Sequence, residues 1–258
     1  LIAASFFGTD TDFAKIATKT NPIRTLLLLL LATVGILHAA DPASPTPTPA
    51  GGEYAEAVEK LVAMPPPASG GILMVGSSIF RKWTTCVEDL APLPVTNRAF
   101  GGSKTADQVF FFDKIVPSSG AALVVWYCGS NDINGKKPPE TILQNTKQWI
   151  ERTQAALPEA RILIVSVINA PQKRDDGQSP AVEAVNKGLT ELAASFPNIA
   201  YVDVNPALQS ADGQPAADCY LPDKLHLTPE AYHRMALVLR PLIEKEWKAS
   251  PAAKPAAP

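Results

Sequence analysis

Asp223-Lys-Leu-His226 sets a carboxylate and an imidazole three residues apart, directly ahead of Leu-Thr-Pro-Glu-Ala-Tyr, the opening of a helical pattern. An imidazole held at one ring nitrogen by a carboxylate presents its other nitrogen as a base near neutral pH. Upstream lie Gly76-Ser77-Ser78, Asn97-Arg-Ala-Phe-Gly101-Gly102 and Gly129-Ser-Asn131-Asp132. A Ser hydroxyl is a weak nucleophile until a neighbouring base takes its proton. Ester cleavage also needs N–H donors at the oxygen that becomes negative, and losing one costs about 3 kcal/mol of transition-state stabilisation. Gly102, lacking a side chain, can bring a backbone N–H close to substrate, and Asn131 can add its carboxamide NH2.

Each piece taken alone has an ordinary structural reading. Ser77 or Ser78 can cap the short helix opened by Ile79-Phe-Arg-Lys-Trp83. Gly101-Gly102 can be a turn, and Asn131-Asp132 a strand-end loop. Of the three His, His38 follows an apolar N-terminal run and belongs to the expected signal segment, and His233 lies inside the last helical pattern. His226 sits on the loop before Thr228-Pro229-Glu230, a helix start with a Thr cap and Pro in the first turn. Asp203 and Asp132 compete with Asp223 to orient His226, and Asp223 is preferred as the nearest in the chain. Trp83, Trp126 and Tyr127 can wall a pocket, but at least two of them are expected in the core.

Five apolar runs are expected as strands: Gly71-Ile-Leu-Met-Val75, Pro94-Val-Thr96, Ala121 to Tyr127, Arg161 to Val167 and Ile199 to Asp203. Several are apolar on both faces, as in a parallel sheet covered by helices on each side. Between and after them, residues 105–115, 139–157, 179–196 and 228–247 carry apolar positions at helical spacing, with Tyr232, Met235, Ala236, Leu239 and Ile243 on one stripe. Strand-helix alternation with right-handed crossovers predicts a three-layer α/β/α sandwich on a five-stranded parallel sheet. Sites in such sheets lie beyond the carboxyl ends of the strands, where the polar motifs fall.

The Gly-Ser-Ser, Gly-Gly, Ser-Asn-Asp and Asp-x-x-His blocks, in this order over about residues 70–245, resemble the SGNH hydrolase family, also called the GDSL lipase/esterase family. The resemblance implies a flavodoxin-like sandwich with Ser78 as nucleophile, His226 as base and Asp223 orienting it. It also implies an oxyanion hole formed by Ser78, Gly102 and Asn131. The family's Gly-Asp-Ser is Gly76-Ser77-Ser78 here, similar to a Gly-Ser-Ser-Ile variant branch. Ser77 can hydrogen-bond but cannot carry the Asp charge.

At 258 residues with net charge -2, the chain has room for one substantial domain. It shows no basic footprint for nucleic acid or an anionic membrane. Residues 25–37 are an apolar run preceded by Lys15, Lys19 and Arg24 and followed by Ala39 and Ala40. The run is short of the roughly 18–20 residues that span a bilayer, so residues 1–40 are expected to be a signal segment. Residues up to about 20 contain no Met and are set aside from the fold. Residues 41–52 read as a Pro/Thr-rich linker, 53–248 as the hydrolase domain and 249–258 as a disordered Pro/Ala tail. Cys86, Cys128 and Cys219 allow at most one internal pair and lack zinc-ligand spacing; Cys128 reads as a buried free thiol. The expectation is a secreted or periplasmic serine esterase with no cofactor or metal and no stable membrane association if the signal is cleaved. It acts on short acyl esters of a carbohydrate or similar polar carrier. The alternatives are a lipase or lysophospholipase, a cell-envelope O-acetyltransferase and a non-catalytic carbohydrate-binding relative.

Overall fold

A computed structural model describes residues 52–253. The expected signal segment and all but the last residue of the expected linker lie outside them. In chain order the elements are α1 (Gly52–Val62), β1 (Ile72–Gly76), α2 (Ser78–Arg81), α3 (Cys86–Asp89), β2 (Val95–Asn97), α4 (Thr105–Phe110) and α5 (Phe112–Ile115). They continue with β3 (Leu123–Tyr127), α6 (Ser130–Asn134), α7 (Pro139–Ala156), β4 (Arg161–Val165), α8 (Pro171–Asp175), α9 (Ser179–Ala194), β5 (Ile199–Val202) and α10 (Pro229–Lys248). The five strands pair in parallel in the order β2-β1-β3-β4-β5, with Ile72 opposite Val95 and Leu123, and Gly76 opposite Tyr127. This is the expected α/β/α architecture.

Alternation along each strand separates two cores. Ile72, Met74, Leu123, Val125, Leu163 and Val165 face Met235, Leu239 and Ile243 of α10, together with Phe80 and Trp83. Leu73, Val75, Val124, Trp126, Ile162 and Ile164 face the opposite layer, including Val58 of α1, Ile142 and Trp149 of α7, and Val185 and Leu189 of α9. Strands buried on both sides need the continuous apolar runs seen in the sequence. Each such Val, Leu or Ile contributes about 1.5–3 kcal/mol by burial.

The expected helix over 105–115 is two pieces. Phe111, at φ -88 and ψ 7, closes α4 and opens α5, and its ring packs edge-on against Phe100 and Phe110. Helix α1 was not anticipated as an element, although Tyr54, Val58 and Leu61 share a face at helical spacing. The expected disordered tail from residue 249 begins with packed chain: Ser250 is buried and donates to Glu159 O at 2.8 Å. Trp83, Trp126 and Tyr127 are all core. Trp83 stacks on Tyr232 with centroids 5.6 Å apart, and Trp126 lies 4.1 Å from Trp149.

Candidate active site

The carboxyl ends of β1, β2 and β3 feed three short loops toward one rim. At the end of β1, Gly76 has φ +146, and a Cβ there would stand 1.9 Å from Tyr127 O. Only Gly fits where the neighbouring strand passes this closely. The chain then turns through Ser77 into α2, with Ser78 as its first residue. A four-residue helix is too short to hold its own position. Asn97 Nδ2 donates to Phe80 O at 2.7 Å and Tyr232 Oη to Ile79 O at 2.8 Å, pinning α2 to β2 and to α10. Ser77 departs from expectation: it is only 1 % exposed, and its Oγ has no hydrogen-bond partner among the described residues.

The loop after β2 is tied back to β1. Gly76 O accepts from Phe100 N at 3.0 Å and from Gln108 Nε2 at 2.9 Å, while Gln108 also donates to Ser103 Oγ. Gly102 has φ +81, a left-handed conformation suited to Gly, and its C=O accepts from Tyr54 Oη of α1 at 3.0 Å. Burial, with Asp107 and Glu53 nearby, pushes the Tyr54 phenol up to about 12, so it remains a donor at neutral pH. After β3, α6 presents Asn131, whose Nδ2 gives one hydrogen to Ser103 O at 3.0 Å. A carboxamide NH2 has two hydrogens, which leaves the other for a ligand. Among the described residues, the N–H groups of Ser78 and Gly102 donate to no backbone carbonyl outside the helices.

The fourth segment is a clasp. Tyr220 bridges Leu227, Leu221 N donates to His226 O at 2.7 Å, and Lys224 turns the chain at φ +59. Asp223 Oδ1 accepts from Leu225 N at 3.0 Å and His226 N at 2.9 Å, an Asx turn that fixes the carboxylate. Its Oδ2 lies 2.6 Å from His226 Nδ1, and His226 Nε2 lies 2.9 Å from Ser78 Oγ. Burial pushes the Asp223 carboxyl up, but hydrogen bonds from the His226 ring and from the His226 and Leu225 N–H groups override it and hold the pKa down at about 2. Helix α10 starts where expected, with Thr228 Oγ1 accepting from Ala231 N and Pro229 in the first turn.

Ser78, Gly102, Asn131 and His226 line one cavity of about 520 Å³, with Asp223 behind the imidazole. The rival partners are engaged elsewhere. Asp132 is buried and caps α4 through Thr105 N at 3.0 Å and Thr105 Oγ1 at 2.7 Å, and Asp203 accepts from Asn205. His233 is exposed on α10. All three Cys are free and buried, so the single internal pair the sequence allowed is not formed. Among the described residues no group of three or more His, Cys, Asp or Glu converges as metal ligands, and no helix is long and apolar enough to cross a membrane.

Sequence reading missed Tyr54 and Lys173. Lys173 of α8 is 0 % exposed, and its Nζ donates to Ser130 O at 2.8 Å and to Asn134 Oδ1, grasping both ends of α6. Burial lowers its pKa to about 8, only partly offset by Asp176. Gln172 N donates to Lys224 O at 2.9 Å, and Lys224 Nζ meets Asp175 Oδ2 at 2.7 Å, so α8 ties the Asn131 helix to the His226 clasp. A lone Lys in a charged stretch gives no sequence signal of this. Tyr54 shares an apolar helical face and was legible in principle.

A hydroxyl, an imidazole and a carboxylate in file beside amide donors, at the carboxyl rim of a parallel sheet, give this α/β/α sandwich the geometry of a serine hydrolase. The sequence profile of the GDSL-like lipase/acylhydrolase family matches residues 71–234; the chain belongs to that family and is a carboxylic ester hydrolase. Solved structures share the fold at low identity. A Streptococcus pneumonia protein described provisionally as a platelet activating factor is 20% identical, with 74% of this chain and 92% of that one covered at a TM-score of 0.66. A GDSL-like lipase from Bacteroides thetaiotaomicron is 20% identical over 75% and 98%, with a TM-score of 0.63. A carbohydrate esterase family 3 protein from Talaromyces cellulolyticus is 14% identical over 69% and 98%, with a TM-score of 0.55. No curated protein matches the sequence.

Proposed function

We propose that the protein is an exported serine esterase that cleaves short acyl esters, acetyl above all, from a carbohydrate or similar polar carrier. The observation that carries this reading is the unbroken row from Asp223 through His226 to Ser78, opening into the cavity lined by Gly102 and Asn131. Ser78 Oγ attacks the ester carbonyl as His226 Nε2 takes its proton. The oxyanion accepts from the N–H groups of Ser78 and Gly102 and from Asn131 Nδ2. His226 then protonates the departing alcohol, leaving acyl-Ser78. A water that gives its proton to His226 attacks this ester, and collapse releases the acid and restores the Ser hydroxyl. Asp223 holds the Nδ1–H tautomer throughout and offsets the charge of the imidazolium.

The lining supports a short acyl group. Among the described residues its only aliphatic side chains are Ala57 and Leu225, beside Tyr54 and a set of polar and charged groups. A long acyl chain would need an extended apolar wall, which argues against a lipase or lysophospholipase. Solvent access supports hydrolysis over transfer to a sugar hydroxyl, since the His226 side chain remains 17 % exposed and that of Asp223 48 %. The complete set of reacting groups argues against a silent carbohydrate-binding relative. Export rests on the apolar run at residues 25–37 and the small residues after it. The buried, unpartnered Ser77 hydroxyl supports placement in the Gly-Ser-Ser-Ile branch, because an Asp there would bury a charge with no donor arranged to receive it.

The test is hydrolysis of 4-nitrophenyl esters of increasing chain length by the wild type and by Ser78→Ala. Turnover is expected to peak at two to four carbons, to fall at least tenfold by eight, and to vanish in the variant with its melting temperature kept. Undiminished turnover by Ser78→Ala overturns the nucleophile assignment, and a rising profile returns the lipase reading.

A further inference from the structure

The mouth of the cavity carries charges that no other described residue matches. Arg81 and Lys82, consecutive at the end of α2, line it together with Glu53 of α1. None of the three makes an ion pair or a side-chain hydrogen bond among the described residues, whereas Arg152, Lys224 and Arg234 each face a carboxylate. The Arg81 side chain lies directly across the loop that delivers the Gly102 N–H. A Cβ at Gly101 would stand 2.5 Å from Arg81 Nε and 3.3 Å from its Cζ, so the missing side chain at position 101 makes room for the guanidinium. Two cations and one carboxylate leave a local excess of one positive charge, on a chain whose net charge is -2.

A guanidinium presents a planar fork that grips a carboxylate through two parallel hydrogen bonds, and a neighbouring ammonium adds a point charge. Glu53, acceptor only when ionised, suits a sugar hydroxyl. It also limits the charge the site favours: one carboxylate balances the excess, while a phosphate monoester with nearly two negative charges overshoots it. We propose that the carrier of the ester is a sugar acid, its carboxylate held by Arg81 and Lys82 and a hydroxyl by Glu53 while its acetyl group lies at Ser78. The proposal rests on the esterase reading above and specifies its substrate class.

The experiment compares kcat/KM of the purified full chain on three acetylated substrates: a methyl glucuronoside, the matching methyl glucoside and a glucose 6-phosphate. The glucuronoside is expected to be favoured over the glucoside by about tenfold at low salt, as a charge-assisted contact at a solvent-exposed mouth allows. The preference should shrink toward unity in about 0.5 M salt, where the screening length drops below 5 Å. It should narrow in Arg81→Gln, disappear in Arg81→Gln/Lys82→Gln and widen in Glu53→Gln. Equal turnover of glucuronoside and glucoside by the wild type, a ratio unmoved in the double variant, or faster turnover of the phosphate each overturns the assignment. Hydrolysis of 4-nitrophenyl acetate, abolished in Ser78→Ala, keeps the two levels apart. Where that activity stands and the ratio is unity, only the sugar-acid assignment falls; where it is absent, the esterase reading fails and takes this inference with it.

Discussion

Replacing Asp223 by Asn should damage the enzyme more than replacing it by Ala, and the reason lies in how the carboxylate is used. Oδ1 accepts from two backbone N–H groups, of Leu225 and His226, and only Oδ2 faces His226 Nδ1. An Asn side chain has one oxygen to offer, and the two backbone donors claim it. Its NH2 then points at Nδ1, which must accept, so the ring proton moves to Nε2 and Nε2 can no longer take a proton from Ser78. Restoring the working tautomer means either opposing two donors or flipping the amide and losing both backbone bonds, at about 0.5–1.5 kcal/mol each. Adding about 2 kcal/mol for the lost partner of the imidazolium gives about 3–5 kcal/mol, or roughly 10²–10⁴ in kcat. Asp223→Ala leaves Nδ1 open to water on this half-exposed side, so the tautomer is unconstrained and the loss stays near 2–3 kcal/mol, roughly 30- to 150-fold. Steady-state kinetics on 4-nitrophenyl acetate, with Ser78→Ala as the floor and thermal melts as the folding control, read the order directly. Asp223→Asn retaining more activity than Asp223→Ala would refute this account of the clasp.

Lys173→Met leaves Ser130 O and Asn134 without their buried donor. It should lower kcat by about tenfold with KM changed less than twofold, and add little in an Asn131→Ala background; an additive loss would mean that Lys173 does not act through Asn131. Gly76→Ala drives a methyl into Tyr127 O and should cost 3 kcal/mol or more, read as a fall of about 10 °C or as failure to fold. The Asp223 carboxyl is depressed in the fold from its ordinary 3.8 to about 2, so its contribution to stability is complete above pH 3.8 and is lost as pH falls toward 2. The difference in melting temperature between wild type and Asp223→Asn should therefore be level above about pH 5 and shrink between pH 4 and 2; a difference that grows on acidification contradicts the sign.

The layers of this protein are written in its sequence because burial acts residue by residue. Strands covered on both faces need unbroken apolar runs, and Ile72 to Val75, Leu123 to Tyr127 and Ile162 to Val165 are such runs. Thr228-Pro229 announces the last helix because the cap and the fixed φ act within one turn. The Asx turn around Asp223 and His226 is likewise local, spanning four residues. By contrast, Ser78 and His226 are 148 residues apart in the chain and 2.9 Å apart in space, a juxtaposition that exists only once β1 lies between β2 and β3 and α10 packs beneath the sheet. The choice among Asp132, Asp203 and Asp223 was settled by which donors each meets, and Asp132 is claimed by Thr105 from another segment. The need for Gly at 76, the room at Gly101 for Arg81 and the hold of Lys173 on α6 depend on atoms contributed by distant elements. Pattern and spacing encode which face of an element avoids water and how a turn closes; which atoms meet across the fold is decided by strand order and close packing, to which no short stretch of chain has access.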